Sequence, residues 1–411
     1  WFYTVTIETM TSMQHKFGAL DLIRAGLQDL DKARTLFDEL HNDGIDDDRM
    51  RLLLTTLEKA CDPDVALSNL VDIIKVVQSQ GEDFTNIIAD ENSFIRLITV
   101  LGVSDEMGKL MRFRPELVEA AANDACESHL YNHEQRRAHV LKSVGADPND
   151  HTMPTASLPL AEAATALRKT YRKQLAAIMA QDATANDPIT IQPRISTELS
   201  DLADAALEGA LAIARHEVDG SEHVRFAIIG MGKLGAQELN YVSDVDLIYV
   251  VEPADADTNG MTLSRVGTKM ATPLQRVCQS VIMGVAEPTL WQIDGGLRPE
   301  GKDGPLVRRL ESHEAYYEQW AENWEFQALL KARPVAGDSD LGQAYMSMTR
   351  PFVWTASKRD NFVYDCQQMR KRVEDLIPNP LKDREIKLGR GGLRDVEFTV
   401  QMLQLVHGRS D

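Results

Sequence analysis

Two carboxylates two residues apart, Asp244 and Asp246, stand at the mouth of a β-branched and aromatic run over residues 245–251. Side chains alternate along a strand, so both should leave the same face. Two carboxylates on one face repel unless a cation sits between them. Mg²⁺ suits such a pair, because it takes hard oxygen ligands and shares them with phosphates. Upstream, the apolar run 226–229 leads into Gly230-Met-Gly232-Lys233-Leu-Gly235, a glycine turn. Downstream, Leu290-Trp-Gln-Ile293-Asp294 reads as a third strand ending in a carboxylate that sheet pairing would bring beside the first two. A third carboxylate lets a second metal, or an activated nucleophile, be held as well. Arg298, in the following GGLRPEGKDGPLV, carries a fork of donors suited to a phosphate oxygen. The loop 301–304 could close over a ligand.

Eleven residues separate Gly232 from Asp244, and the resulting G-x11-D-x-D resembles the fingerprint of the nucleotidyltransferase fold of polymerase-β type. The same glycines also spell G-x-G-x-x-G after a strand, with Glu252 about 20 residues on, as a dinucleotide site would have it. That alternative needs an amphipathic crossover helix, which residues 236–243 are too short and polar to supply. It also has no use for an Asp-x-Asp pair entering the next strand. Without the glycine turn, two solvated strand-end aspartates would be the default reading.

The elements that must position these residues come mostly from helical patterns. Residues 1 to about 145 read almost wholly as helix, with a helix end near Gly102, a cap at Ser104 and a helix opened by Pro115. Residues 145–159 read as a loop and 160–182 as a helix, with Arg168, Lys169, Arg172 and Lys173 forming a solvated basic side. A second loop, 183–194, should precede a helix from Ser196 or Thr197 to about Glu217. That helix has a small-residue stripe able to pack on a sheet. A helix over about 263–283 follows the second strand. From Ser312 the chain returns to helix, with Tyr317, Trp320, Trp324 and Leu329 read as core. Lys331 and Arg333 sit at that helix's end as phosphate-facing candidates. Helices then run over about 341–376 with a break at Pro351. The glycine turn Gly389, Gly391, Gly392 opens a last helix, with backbone donors suited to an anion and Asp395 and Glu397 in its first turn.

The chain has 411 residues, 43% apolar and 26% charged, which predicts two or three domains with ample core. We expect a helical region 1–195, a catalytic domain 196–310 and a C-terminal helical bundle 311–411, an α+β chain. A net charge of −19 argues against nucleic acid or a membrane surface as partner. Cys61, Cys126, Cys278 and Cys366 have no metal-ligand spacing and read as reduced thiols of a cytoplasmic protein. No signal peptide or spanning segment is apparent. The start at Trp1 and stop at Asp411 suggest a piece of something longer.

The motifs GMGKLGAQELNYVSDVDLIYV, IDGGLRPEGKDGPLV, WEFQALLKARPVAGD and IKLGRGGLRDVEF together resemble the bifunctional glutamine synthetase adenylyltransferase and adenylyl-removing enzymes. VLGVSDEMGKLMRFRPEL and ALRKTYRKQLAAIMAQD resemble that family's helical amino-terminal region. Family members carry two homologous catalytic halves. The arrangement here, with ELNYVSDVDLIY in the motif, looks like the amino-terminal, adenylyl-removing half. The resemblance implies phosphorolysis: inorganic phosphate attacks AMP on a tyrosine of glutamine synthetase, giving ADP and unmodified synthetase. Asp244, Asp246 and Asp294 would hold Mg²⁺, Gly232 and Lys233 would cradle phosphate oxygens, and Ser243 would support the turn. Arg298 would hold the attacking phosphate. Lys387, Gly391 and Glu397 carry over from motif identity alone. Many relatives place arginine two positions after the third aspartate, where this chain has Gly296, so that contact does not carry over. A PII signalling protein is the implied regulator, and ATP or ADP the nucleotide. The alternatives are the homologous ATP-dependent adenylylating half, a UTP-using transferase and a catalytically silent PII-sensing module.

Overall fold

Apolar residues on both faces of residues 226–229 and 245–251 require cover on both sides, and the computed structural model supplies it with helices. The structure describes residues 17–408 apart from 80, 82–83, 85–89, 123–130, 257–258 and 383. The described residues form two compact units. One takes those up to residue 122 together with Arg172–Ile191, and the other takes Tyr131–Tyr171 and the described residues from Gln192 onward.

The first unit is all helical. Its helices include Leu30–Asn42, Asp47–Leu57, Pro63–Ser79, Glu91–Val103, Asp105–Met111 and Pro115–Ala122. Side-chain caps set several starts: Asp46 accepts from the Arg49 amide at 2.8 Å, and Ser104 from the Met107 amide at 3.2 Å. The expected stop near Gly102, cap at Ser104 and start at Pro115 are all present.

The second unit is built on a mixed sheet. β1 (Val224–Gly230) runs antiparallel to β2 (Val245–Pro253), with Ile229 opposite Ile248. β3 (Ile293–Asp294) and β4 (Val307–Arg309) pair in parallel with β2. β5 (Arg333–Gly337) adds antiparallel to the other edge of β1, with an irregularity at Ile228 and Ile229. One face, through Ala227, Ile229, Ile248 and Val250, packs on Tyr317, Phe326, Tyr345, Cys366 and Leu405 from the helices that follow. The opposite face meets the helix Gly260–Gln279, where Gln275 donates to the Tyr249 hydroxyl at 3.4 Å. Asp244 and Asp246 share the parity of Ile248 and Val250, so alternation aims them toward the helices 310–407.

Several sequence expectations change. The helix expected from Ser196 begins at Pro188, where Asp187 caps the Ile189 and Thr190 amides, and it runs to Glu217 through Pro193. Pro351 lies inside a continuous helix Ser339–Thr355. The break comes later, at Asn361, whose φ of 58° opens Phe362–Asp375. The third strand keeps only Ile293 and Asp294. The segment read as returning to helix from Ser312 contains β5, whose backbone completes the β1 edge. The basic side of the 160–183 helix is solvated only in part: Lys169 is exposed, but Arg168 is 1% exposed and Arg172 8%. Arg168 donates to the carbonyls of Val277, Ser280 and Glu287 at 2.7–3.0 Å, closing the end of the Gly260–Gln279 helix. Trp320 is 74% exposed rather than core, whereas Tyr317 and Leu329 are buried as expected. Cys278 and Cys366 are buried thiols and Cys61 is exposed; Cys126 lies outside the described residues.

Candidate active site

The turn after β1 is a single helical turn, Gly232–Gly235, entered by a Met231 amide that donates to the Asp246 carbonyl at 2.8 Å. Gly232 has φ +53°, and a Cβ there would lie 2.5 Å from the Asp246 carboxylate oxygen. A side chain at this position would therefore be strained and would fill the space before the carboxylate. β3 pairs with β2 so that Asp294 stands opposite Asp246. The Gly296 amide donates to Asp294 Oδ1 at 2.7 Å, and a Cβ on Gly296 would come within 2.9 Å of that oxygen.

Asp244, Asp246 and Asp294 line one cavity of about 560 Å³, together with Gly232, Lys233, Ser243, Lys387, Arg394 and Glu397. Its apolar walls are Val242, Leu297, Trp324, Met369, Val373 and Phe398. Burial, then the charges of Asp294 and Asp244, push the Asp246 carboxyl up to about 6, against the opposing pull of Arg394 and Lys387. The donor set is all carboxylate oxygen, the Gly232 cradle is open, and the acids repel one another. These features fit Mg²⁺ rather than a thiophilic metal.

The structure thus brings together eight of the ten expected site residues, Glu397 among them, and places Arg298 and Gly391 elsewhere. The Arg298 guanidinium donates to the carbonyls of Gly295, Lys302 and Gly304 at 2.6–3.3 Å and ties its own loop. The Gly391 amide, at φ +76°, donates to Asp395 Oδ2 at 2.5 Å, so the chain's own carboxylate takes the expected anion's place. Lys331 reaches the cavity but is held by Glu238 at 2.7 Å, and Arg333 points away from it. Trp324, expected as core, lines the cavity, its indole N–H on Glu322 at 2.8 Å. Arg394 was missed. It lies in the quoted motif, lines the cavity beside its i,i+3 partner Glu397 at 2.7 Å, and its charge reaches Asp246. Gln327 and Gln401, joined at 2.8 Å, also reach the wall from separate helices.

Among the described residues, a tighter His/Asp group lies outside this cavity: His133, Asp201 and Asp204, with ligand atoms within 4.8 Å of one another. Asp204 there already faces the Arg333 guanidinium at 2.6 and 3.2 Å, which supplies its positive partner without a metal.

A glycine turn, an Asp-x-Asp pair and a third aspartate at one end of a mixed sheet define an α+β nucleotidyltransferase. Residues 94–348 match the model of glutamate-ammonia ligase adenylyltransferase, and the chain belongs to that family. Residues 367–411 match a PII-uridylyltransferase model. A bifunctional glutamine synthetase adenylyltransferase/adenylyl-removing enzyme of Bifidobacterium longum (strain DJO10A) is 76% identical over 98% of this chain and 37% of its own length. Proteins of the same description from Cutibacterium acnes and Corynebacterium glutamicum are each 42% identical, over 95% and 87% of this chain. The chain spans 39% and 36% of those two relatives. No helix among the described residues is long and apolar enough to cross a membrane.

Proposed function

We propose that this chain removes AMP from a tyrosine of glutamine synthetase by phosphorolysis. A phosphate oxygen bonds to the α-phosphorus and the bond to the tyrosine oxygen breaks. ADP leaves and the tyrosine hydroxyl is restored. The observation that carries the reading is the pairing, in one cavity, of three carboxylates with Lys233, Lys387 and Arg394. Carboxylates alone would repel an incoming phosphate dianion, and the cations give it a seat.

Asp244, Asp246 and Asp294 would hold Mg²⁺, which when bound neutralises charge on the transferred phosphoryl group. Lys233, at the start of the one-turn helix, holds an α-phosphate oxygen. Lys387 and Arg394 hold the attacking phosphate, the role first expected of Arg298. Trp324 and Phe398 offer apolar faces for the adenine. Catalysis of this kind is positioning and charge neutralisation, so no covalent enzyme intermediate is required.

The match of residues 367–411 to a PII-uridylyltransferase model supports a PII signalling protein as the regulator. The test is Asp244→Asn in the presence of adenylylated synthetase, Mg²⁺ and phosphate. Turnover should vanish while the circular dichroism spectrum stays native; an unchanged rate would sink the mechanism.

A further inference from the structure

Arg333 closes behind the catalytic turn in a way that the phosphate chemistry does not require and simple packing does not explain. Its guanidinium holds the fully buried Asp204 carboxylate through two donors, at 2.6 and 3.2 Å. The remaining donors reach two carbonyls of the turn itself: Leu234 at 3.0 Å and Gly235 at 3.2 Å. These carbonyls close the C-terminal end of the one-turn helix whose other end presents Gly232 and Lys233 to the cavity.

A four-residue helix has little stability of its own, since its first turn fixes three residues for one hydrogen bond. Something outside it must set its position. Arg333, the first residue of β5, does this together with close backbone approach from the residues just before β5 and from the end of β1: a Cβ on Gly235 would run into the Lys331 carbonyl and the Gly230 carbonyl. His133 Nε2 also lies 3.5 Å from Asp204, and its hydrogen bond to that carboxylate raises the histidine's pKa.

We infer that Arg333 and Asp204 are positioning residues for the nucleotidyl-transfer site, holding the Gly232–Gly235 turn at the distance from Asp246 that a phosphate needs. This rests on reading the cavity as a nucleotide site. Asp204 is the rigid anchor, planted in the helix Pro188–Glu217, and Arg333 is the planar fork that joins anchor to turn. Lysine in place of arginine can keep the charge pair but cannot hold both carbonyls at once.

The experiment is Mg·ADP binding by calorimetry to the whole chain, wild type and Arg333→Lys, with thermal melts of both. The expected result is a folded variant whose Kd for Mg·ADP rises on the order of tenfold, with turnover on adenylylated synthetase falling further than the Kd accounts for. If Arg333 merely neutralised Asp204, lysine would restore both quantities, and that result would overturn the inference. Should wild type itself bind no Mg·ADP, the nucleotide reading falls and this inference with it. Hydrogen exchange on the wild-type protein gives an outcome that needs no variant. The amides of Gly235 and Ala236, bonded to the Met231 and Gly232 carbonyls, should exchange as slowly as those of β5. Fast exchange there would contradict a clamped turn.

Discussion

Arg394 and Arg298 divide between them the work that the sequence assigns to one arginine. Arg298 spends its donors on the carbonyls of Gly295, Lys302 and Gly304, whereas Arg394 lines the cavity and, among the described residues, pairs with Glu397 alone. Arg394→Ala should therefore raise the KM for phosphate about tenfold or more, as loss of a charge-assisted contact would. Arg298→Ala should instead lower the melting temperature and the turnover, leaving the phosphate KM near wild type. Steady-state kinetics at varied phosphate separates the two. The opposite assignment would return the attacking phosphate to Arg298. Neither outcome could be read from the chain, because an arginine's type states its donors and not whether a carbonyl has already taken them.

At the scale of elements, two buried cationic or ionisable groups make claims about stability. Arg168 closes the last turn of the Gly260–Gln279 helix through backbone carbonyls, the sheet's cover on one side. Arg168→Ala leaves those carbonyls buried without donors and should destabilise the chain by about 3 kcal/mol, measured by denaturant unfolding. A loss within a few tenths would mean that the helix end is hydrated instead. His313 stacks on Tyr317 and stands edge-on to Tyr345, and burial, then the Arg308 charge, push it down to about 3. Its folded value lies below its unfolded one, so the unfolded chain binds more protons between those two values. The His313 contribution is thus complete above about pH 6.5 and is lost as pH falls toward 3, with a slope of at most about 1.4 kcal/mol per pH unit. His313→Gln should flatten the pH dependence of the unfolding free energy in that window; an unchanged slope would place the titration elsewhere.

Across the whole molecule, legibility follows the range of the interactions concerned. β1, the glycine turn and β2 were readable because their signals are local: glycines at fixed offsets, a β-branched run and a strand-end Asp-x-Asp. Asp294 was readable once sheet pairing was assumed, and the parallel register with Asp246 satisfies that assumption. β5 was not, since Arg-Pro-Val-Ala-Gly carries weak strand propensity and becomes a strand only by bonding to β1. The burial of Arg168 and the exposure of Trp320 depend in the same way on partners distant in sequence. Pro351 was read as a break because proline's missing amide was weighed without the packing that carries the helix through it, and the helix start at Pro188 lay inside a segment read as loop. The family assignment survives these errors because its motifs lie at the turn and strand ends, where local geometry dominates. The direction of the reaction rests on the chemistry of the cavity, and phosphate labelling tests it directly. Adenylylated glutamine synthetase is incubated with this chain, Mg²⁺ and ³²P-labelled inorganic phosphate, and the nucleotide products are separated. The account predicts label in the β-phosphate of ADP, formed in step with loss of AMP from the synthetase. Unlabelled AMP as the product, or AMP transfer from ATP onto unmodified synthetase with no labelled ADP, would contradict it.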